Sequence, residues 1–247
     1  MNQHLDTIPV WDAYKQKGEC PLCAIFKKNE DDYVDNFLGA SYMEPSRRVE
    51  TNENGFCRRH FKMMYDKDNR LGLALMTDTY MRETIKKLKE NAQRLVAAAD
   101  GEAKKSFLAR MGRKNADIIG AAAEIKELTG RCIMCQKLDT VMDRYIYTML
   151  YMWKHEIDFR VTFATSKGMC LDHYAQTLAM AQKLLSGAEL AEFVQTLTDI
   201  QIGNLERVEG ELEWFTLKAD HRNKDKPWGN SRDAVERSVN KMRGGAV

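Results

Sequence analysis

Cys20-Pro-Leu-Cys23 and Cys57-Arg-Arg-His60, thirty-three residues apart, return later in the chain as Cys132-Ile-Met-Cys135 and Cys170-Leu-Asp-His173, thirty-four apart. The two copies use all six cysteines. Gly18 and Gly130 stand two residues before each CxxC, and Gly55 and Gly168 two before each CxxH. A CxxC lets two thiolates turn around one cation. In a CxxH, positions i and i+3 share a helix face, so Cys57 projects with His60 and Cys170 with His173. The partial positive charge of a helix N-terminus favours thiolate over thiol. Three thiolates and one imidazole match the tetrahedral Cys3His zinc set.

The candidate metal ligands are therefore Cys20, Cys23, Cys57, His60, Cys132, Cys135, Cys170 and His173. Zinc at two sites is the expected cofactor, and iron–sulfur chemistry is the alternative for soft sulfur donors. Four protein ligands close the shell, which is the arrangement of a structural metal. The direct reading gives each copy its own site. Exchange, with the CxxC of one copy meeting the CxxH of the other, also satisfies the pattern. A c-type haem needs CxxCH, but Ala24 and Gln136 occupy that histidine position. A thioredoxin-like pair belongs in a βαβ context, of which the sequence has no sign.

The chain has 247 residues and a net charge of +2, which argues against broad electrostatic capture of nucleic acid or an acidic membrane. Only four prolines punctuate a sequence rich in Ala, Leu, Lys, Glu and Met, a helix-forming composition. The fourteen methionines read as adaptable core filler. The N-terminal stretch lacks the apolar segment of a signal peptide. The most apolar run, Val141 to Trp153, contains Asp143 and Arg144 and is too short to span a bilayer. Closely spaced cysteines without an export signal point to reduced thiolates and a cytoplasmic location.

The pattern predicts an all-α fold of two pseudo-repeated helical units, each with a Cys3His site, joined by a long helical hairpin. Residues 1–99 form the first repeat, 100–129 a connecting helix, 130–219 the second repeat and 220–247 a tail with a short helix. Helices are expected at about Ala24 to Leu38 and Gln136 to His155, each followed by a loop. These loops run from Pro45 to Gly55 and through Arg160 to Gly168. Leu71, Leu75, Asp78, Met81, Ile85, Leu88, Ala92 and Leu95 follow one another at spacings of four or three, a helical stripe with one polar exception. Ala98-Ala-Asp-Gly101 reads as a turn, with a returning helix at about Ala103 to Leu128. Ser186 and Glu189 read as a capping box. In the tail, Trp228 is expected to dock near Leu205 to Phe215, ahead of a helix at about Asp233 to Met242.

Other polar residues read as ordinary. His4, His155 and His221 have no cysteine neighbours, and Asp31, Asp32 and Asp35 resemble a solvated helix face. Arg58-Arg59 and the run Arg110 to Lys114 read as solvated helix ends. No nucleotide-binding, HExxH or GxSxG motif is present.

Cys-Pro-Leu-Cys, Gly-Phe-Cys-Arg-Arg-His, the second CxxC/CxxH set and the Pro-Trp-Gly of the tail together resemble a bacterial family catalogued as a domain of unknown function. The resemblance spans nearly the whole chain. It implies metal ligands and a bacterial cytoplasmic origin, and no activity. The expected role is a metal-stabilised helical scaffold for a protein partner or for self-association. A metal-dependent or iron–sulfur redox enzyme is the competing class, with nucleic-acid binding and metal sensing behind it.

Overall fold

The structure is a computed structural model that describes residues 3–39, 43–103 and 116–245. Among them are eleven α-helices and no strand. They are α1 (Gln3–Lys15), α2 (Pro21–Leu38), α3 (Pro45–Asn54), α4 (Arg58–Asp66), α5 (Arg70–Ala103) and α6 (Ala116–Gly130). There follow α7 (Ile133–His155), α8 (Ile157–Ala164), α9 (Leu171–Leu184), α10 (Gly187–Leu217) and α11 (Ala234–Arg243). Behind each CxxC the order is the same: a CxxC helix, a short helix, a CxxH helix and a long helix. No helix among the described residues is long and apolar enough to cross a membrane.

The two short helices replace expected loops. Pro45 occupies the first turn of α3, where its missing N–H costs nothing. Its one large aliphatic residue, Val49, is 56% exposed, so α3 carries no apolar period for a sequence reading to detect. Gly55 ends α3 at φ 58, and its N–H bonds to the Thr51 carbonyl. The helix α8 follows α7 after a single intervening residue, Glu156. Ala98 to Gly101 is not a turn either, because α5 runs on to Ala103. One glycine costs a helix only about 1 kcal/mol, which a 34-residue helix absorbs. The returning helix is described from Ala116 onward; residues 104–115, including Arg110 to Lys114, lie outside the described set. It is antiparallel to α5: Tyr80 Oη donates to the Leu128 carbonyl at 3.5 Å, and Asn91 to the Ala121 carbonyl at 3.3 Å.

The described helices belong to two compact units. The first takes Met1–Asn29 and Leu138–Val247, the second Glu30–Lys137. The boundary therefore falls inside α2 and α7. In the first unit, Trp153, Phe159, Phe163 and Phe193 are fully buried, with Trp153 edge-on to Phe193 at 4.9 Å. Ser186 precedes α10 as expected, but its side chain makes no cap bond and Glu189 pairs with Lys154 at 2.8 Å. The tail lies on its own unit: Trp228 sits 5.7 Å from Phe215, and Trp214 Nε1 donates to the Pro227 carbonyl at 3.1 Å. In the second unit, Val34, Phe37, Phe56, Met64, Met76, Cys132 and Met134 form one buried apolar cluster.

Gly55 joins this core to the CxxH. A Cβ added there would lie 2.4 Å from the Tyr80 ring, at a backbone angle that side chains avoid. Gly55→Ala should destabilise the protein by about 2–4 kcal/mol, combining left-handed strain with overpacking. Gly130→Ala, with nothing within 4 Å of the added Cβ, should stay within about 0.5 kcal/mol. Chemical denaturation of both variants measures the difference.

Candidate metal centres

Each ligand pair starts a helix in the same way. Cys20, Cys57, Cys132 and Cys170 immediately precede α2, α4, α7 and α9, and Cys23, His60, Cys135 and His173 follow three residues later. Cys57 and Cys170 share one extended conformation, φ −72, ψ 166 and φ −70, ψ 160. Their sulfurs make no cap bond to their own helices, whereas at Cys20 the sulfur stands where a capping oxygen would sit. The Cys23 N–H indeed approaches Cys20 Sγ at 3.4 Å. Helix N-termini thus bring partial positive charge to every thiolate.

These pairs meet two by two, across the two copies of the motif. Cys20 and Cys23 join Cys170 and His173 in the first unit; Cys57 and His60 join Cys132 and Cys135 in the second. The reading in which each copy closes its own site is corrected here. Spacing alone could not decide it, because both arrangements use the same four pairs. Contacts outside the motifs do. Ile133 N–H bonds to the Gly55 carbonyl at 3.1 Å, tying the start of α7 to the turn before α4. In the first unit, Lys241 Nζ donates to the carbonyls of Glu19, at 2.9 Å, and of Lys167, joining the two loops that lead into Cys20 and Cys170.

Within each group all four ligand atoms lie within 4.8 Å of one another. His173 Nδ1 is 3.4 Å from Cys20 Sγ, 3.4 Å from Cys23 Sγ and 3.2 Å from Cys170 Sγ, and the sulfurs of Cys23 and Cys170 are 3.6 Å apart. His60 Nδ1 is 3.2, 3.2 and 3.5 Å from the sulfurs of Cys57, Cys132 and Cys135, and Cys57 and Cys135 sulfurs are 3.9 Å apart. Zn–S and Zn–N bonds of normal length place tetrahedral neighbours about 3.8 Å (S to S) and about 3.6 Å (S to N) apart. The observed edges fit that cage, and all six cysteines are free thiols.

With protons alone in the cage, the groups already separate charge. Burial and the neighbouring cysteines push the Cys20 thiol up. Hydrogen bonding to Cys20 and Cys23 holds Cys170 far below the usual thiol range, against burial. In the second group, burial opposes charge on Cys132, yet hydrogen bonding from His60 and backbone amides lowers it to about 6. Burial likewise opposes charge on His60, but hydrogen bonds to Cys132 and Glu30 raise it to about 10. A thiolate–imidazolium pair is poised to exchange its protons for a cation.

Four residues outside the motifs complete the sites. Glu30, almost wholly buried, accepts from His60 Nε2 at 3.1 Å and from Arg59 Nη2 at 2.6 Å. With Nδ1 facing the sulfurs, Nε2 is thereby fixed on a carboxylate, as in many metal-bound histidines. Glu30 stands seven residues after Cys23 on α2, a helical spacing legible in the sequence. Of its neighbours Asp31, Asp32 and Asp35, the last pairs with Lys67 at the surface, at 2.6 Å. Glu19 is buried beside Cys20 and holds Arg207 at 2.6 Å, Lys167 at 3.4 Å and Lys241 at 3.6 Å. Gly244 closes over the first group: a Cβ there would lie 3.2 Å from Cys170 Sγ and 3.4 Å from Cys23 Sγ. No sequence signal marks Lys241 or Gly244. His155 packs at a tilt against Tyr151, ring centroids 4.4 Å apart, and His221 faces Asp220 at 3.4 Å, neither in a ligand group.

Fold and site define an all-α protein with two Cys3His groups that can each hold a metal ion. The chain belongs to the family described as "Family of unknown function (DUF6062)", whose model matches residues 1–247. No curated protein and no solved structure matches it.

If Glu30 orients His60, Glu30→Gln should weaken metal binding at the second group about 10–100-fold and leave the first unchanged. Competition with a chromophoric chelator reads this as one of two ions leaving early. Unchanged release of both would show that Glu30 serves only Arg59.

Proposed function

We propose that each Cys3His group binds one zinc ion and that the protein is a metal-stapled helical scaffold. The observation that carries this reading is the cage itself: ligand atoms all within 4.8 Å, with edges matching a tetrahedron around a single ion. An iron–sulfur cluster puts at least two irons and their bridging sulfides among its ligands, so it needs a wider cage. Four protein ligands leave no position for substrate or water, which supports a structural role over a catalytic one.

The metal would join segments far apart in sequence, Cys23 with Cys170 and His60 with Cys132. Binding to a site absent from the unfolded chain adds directly to stability, on the order of 10 kcal/mol per structural zinc at neutral pH. Protonation of the thiolates competes with the cation, so affinity should fall as the solution is acidified.

Elemental analysis of protein purified without added metal should give about two zinc ions per chain. Two double variants test the partnering as well. Cys23→Ser with Cys170→Ser removes two ligands of one group and should leave about one ion. Cys23→Ser with Cys57→Ser strikes both groups and should leave almost none. The reverse pattern would restore each copy to its own site, and absence of metal in the wild-type protein would overturn the proposal. Either cysteine variant should lower the melting temperature far more than His155→Ala.

A further inference from the structure

The stripe on α5 is not in the core of the second unit. Met76 on α5 is buried in the apolar cluster, Tyr80 lies against Gly55, and Asn91 bonds to α6. Those residues share a different side of the helix. The stripe faces solvent: Leu71 is 66% exposed, Met81 55%, Ile85 45%, Leu88 37% and Leu75 36%. Val96, at 62%, extends it. It is about 36 Å long at 1.5 Å per residue, a long contiguous apolar surface for a chain acting alone.

We propose that a second copy of this chain covers the stripe, α5 against α5 in antiparallel order. Three observations single out this occupant. The spacing is close to its own reverse, so an antiparallel copy pairs Leu71 with Leu95, Leu75 with Ala92, Asp78 with Leu88 and Met81 with Ile85. Its mean repeat is about 3.5 residues, that of a seam between two supercoiled helices. The polar exception also finds a partner. In this register Asp78 of one copy lies beside Lys89 of the other, and twofold symmetry makes the pair twice. Asp78 otherwise has a surface pairing with Arg82 of its own helix, at 3.1 Å. Finally, two such stripes bury on the order of 1,000 Å2 before their flanks are counted, the size at which specific interfaces begin. The face carries no aromatic anchor of the kind that favours a lipid surface.

Sedimentation velocity of the full, metal-loaded chain at tens of micromolar tests the pairing. The expected mass is twice 28.4 kDa. Ile85→Glu with Leu88→Glu should weaken association at least about 100-fold, with helical circular dichroism and metal content retained because both residues are exposed. Asp78→Lys and Lys89→Asp should each weaken it about tenfold, and together restore it to within about threefold. A monomer at about 100 µM, or a dimer indifferent to these changes, overturns the proposal. So does a monomer that pellets with phosphatidylglycerol vesicles through the same stripe, which would assign it to a membrane surface. None of these readings depends on which metal the Cys3His groups hold.

Discussion

Helix N-termini converging in pairs are the constraint on which the rest of the structure depends. Each of α2, α4, α7 and α9 starts immediately behind a cysteine, with the second ligand one turn on. The first four N–H groups of a helix lack internal partners, and thiolates beside them are stabilised by that partial charge. Such ends would repel one another without intervening negative charge. The sulfurs supply that charge, and in the proposed state a cation gathers the sulfurs. The long helices α5 and α10 are then packed outward from these fixed starts.

The fold was legible wherever local chemistry forces a single answer. CxxH marked the starts of α4 and α9, sustained apolar spacing found α5, and the two CxxC helices begin inside the motif, at Pro21 and Ile133, ahead of the expected Ala24 and Gln136. Legibility failed where the decisive contact is distant or apolar period is absent. The helix α3 has Ser, Arg, Glu, Thr and Asn around a single exposed valine, and is held by Pro45 at one end and Gly55 at the other. The partnering of the ligand pairs was open in principle, because each CxxC fits each CxxH equally. It is settled by Ile133 on Gly55 and by Lys241 on Glu19 and Lys167, contacts without any spacing rule. Likewise, a stripe at helical spacing says that a helix forms but not which surface covers it.

Charge balance explains why the two groups, alike in ligands, are built differently around them. Three thiolates with one divalent cation carry a net negative charge. In the first unit a buried ammonium, Lys241, stands beside the loop of Cys20, and burial lowers its proton affinity. Four cations, Lys167, Arg207, Arg237 and Lys241, in turn surround Glu19. In the second unit a further negative group, Glu30, backs the imidazole and is answered by Arg59, whose side chain is 60% exposed.

That contrast relocates the difference between the copies. The spacers differ, Pro-Leu against Ile-Met and Arg-Arg against Leu-Asp. Because each group takes one pair from each copy, no group inherits a whole copy's spacers. Arg59 of the first CxxH serves the second unit, where it meets Glu30; Asp172 of the second CxxH lies in the first. The surroundings of the two groups differ as well as their spacers. The first group is backed by Lys241 of α11 and by Gly244 just beyond that helix. The second depends on Glu30, thirty residues from its histidine and in the middle of a helix. Disorder of the C-terminal segment would therefore loosen the first group, while the second would respond to the charge at Glu30.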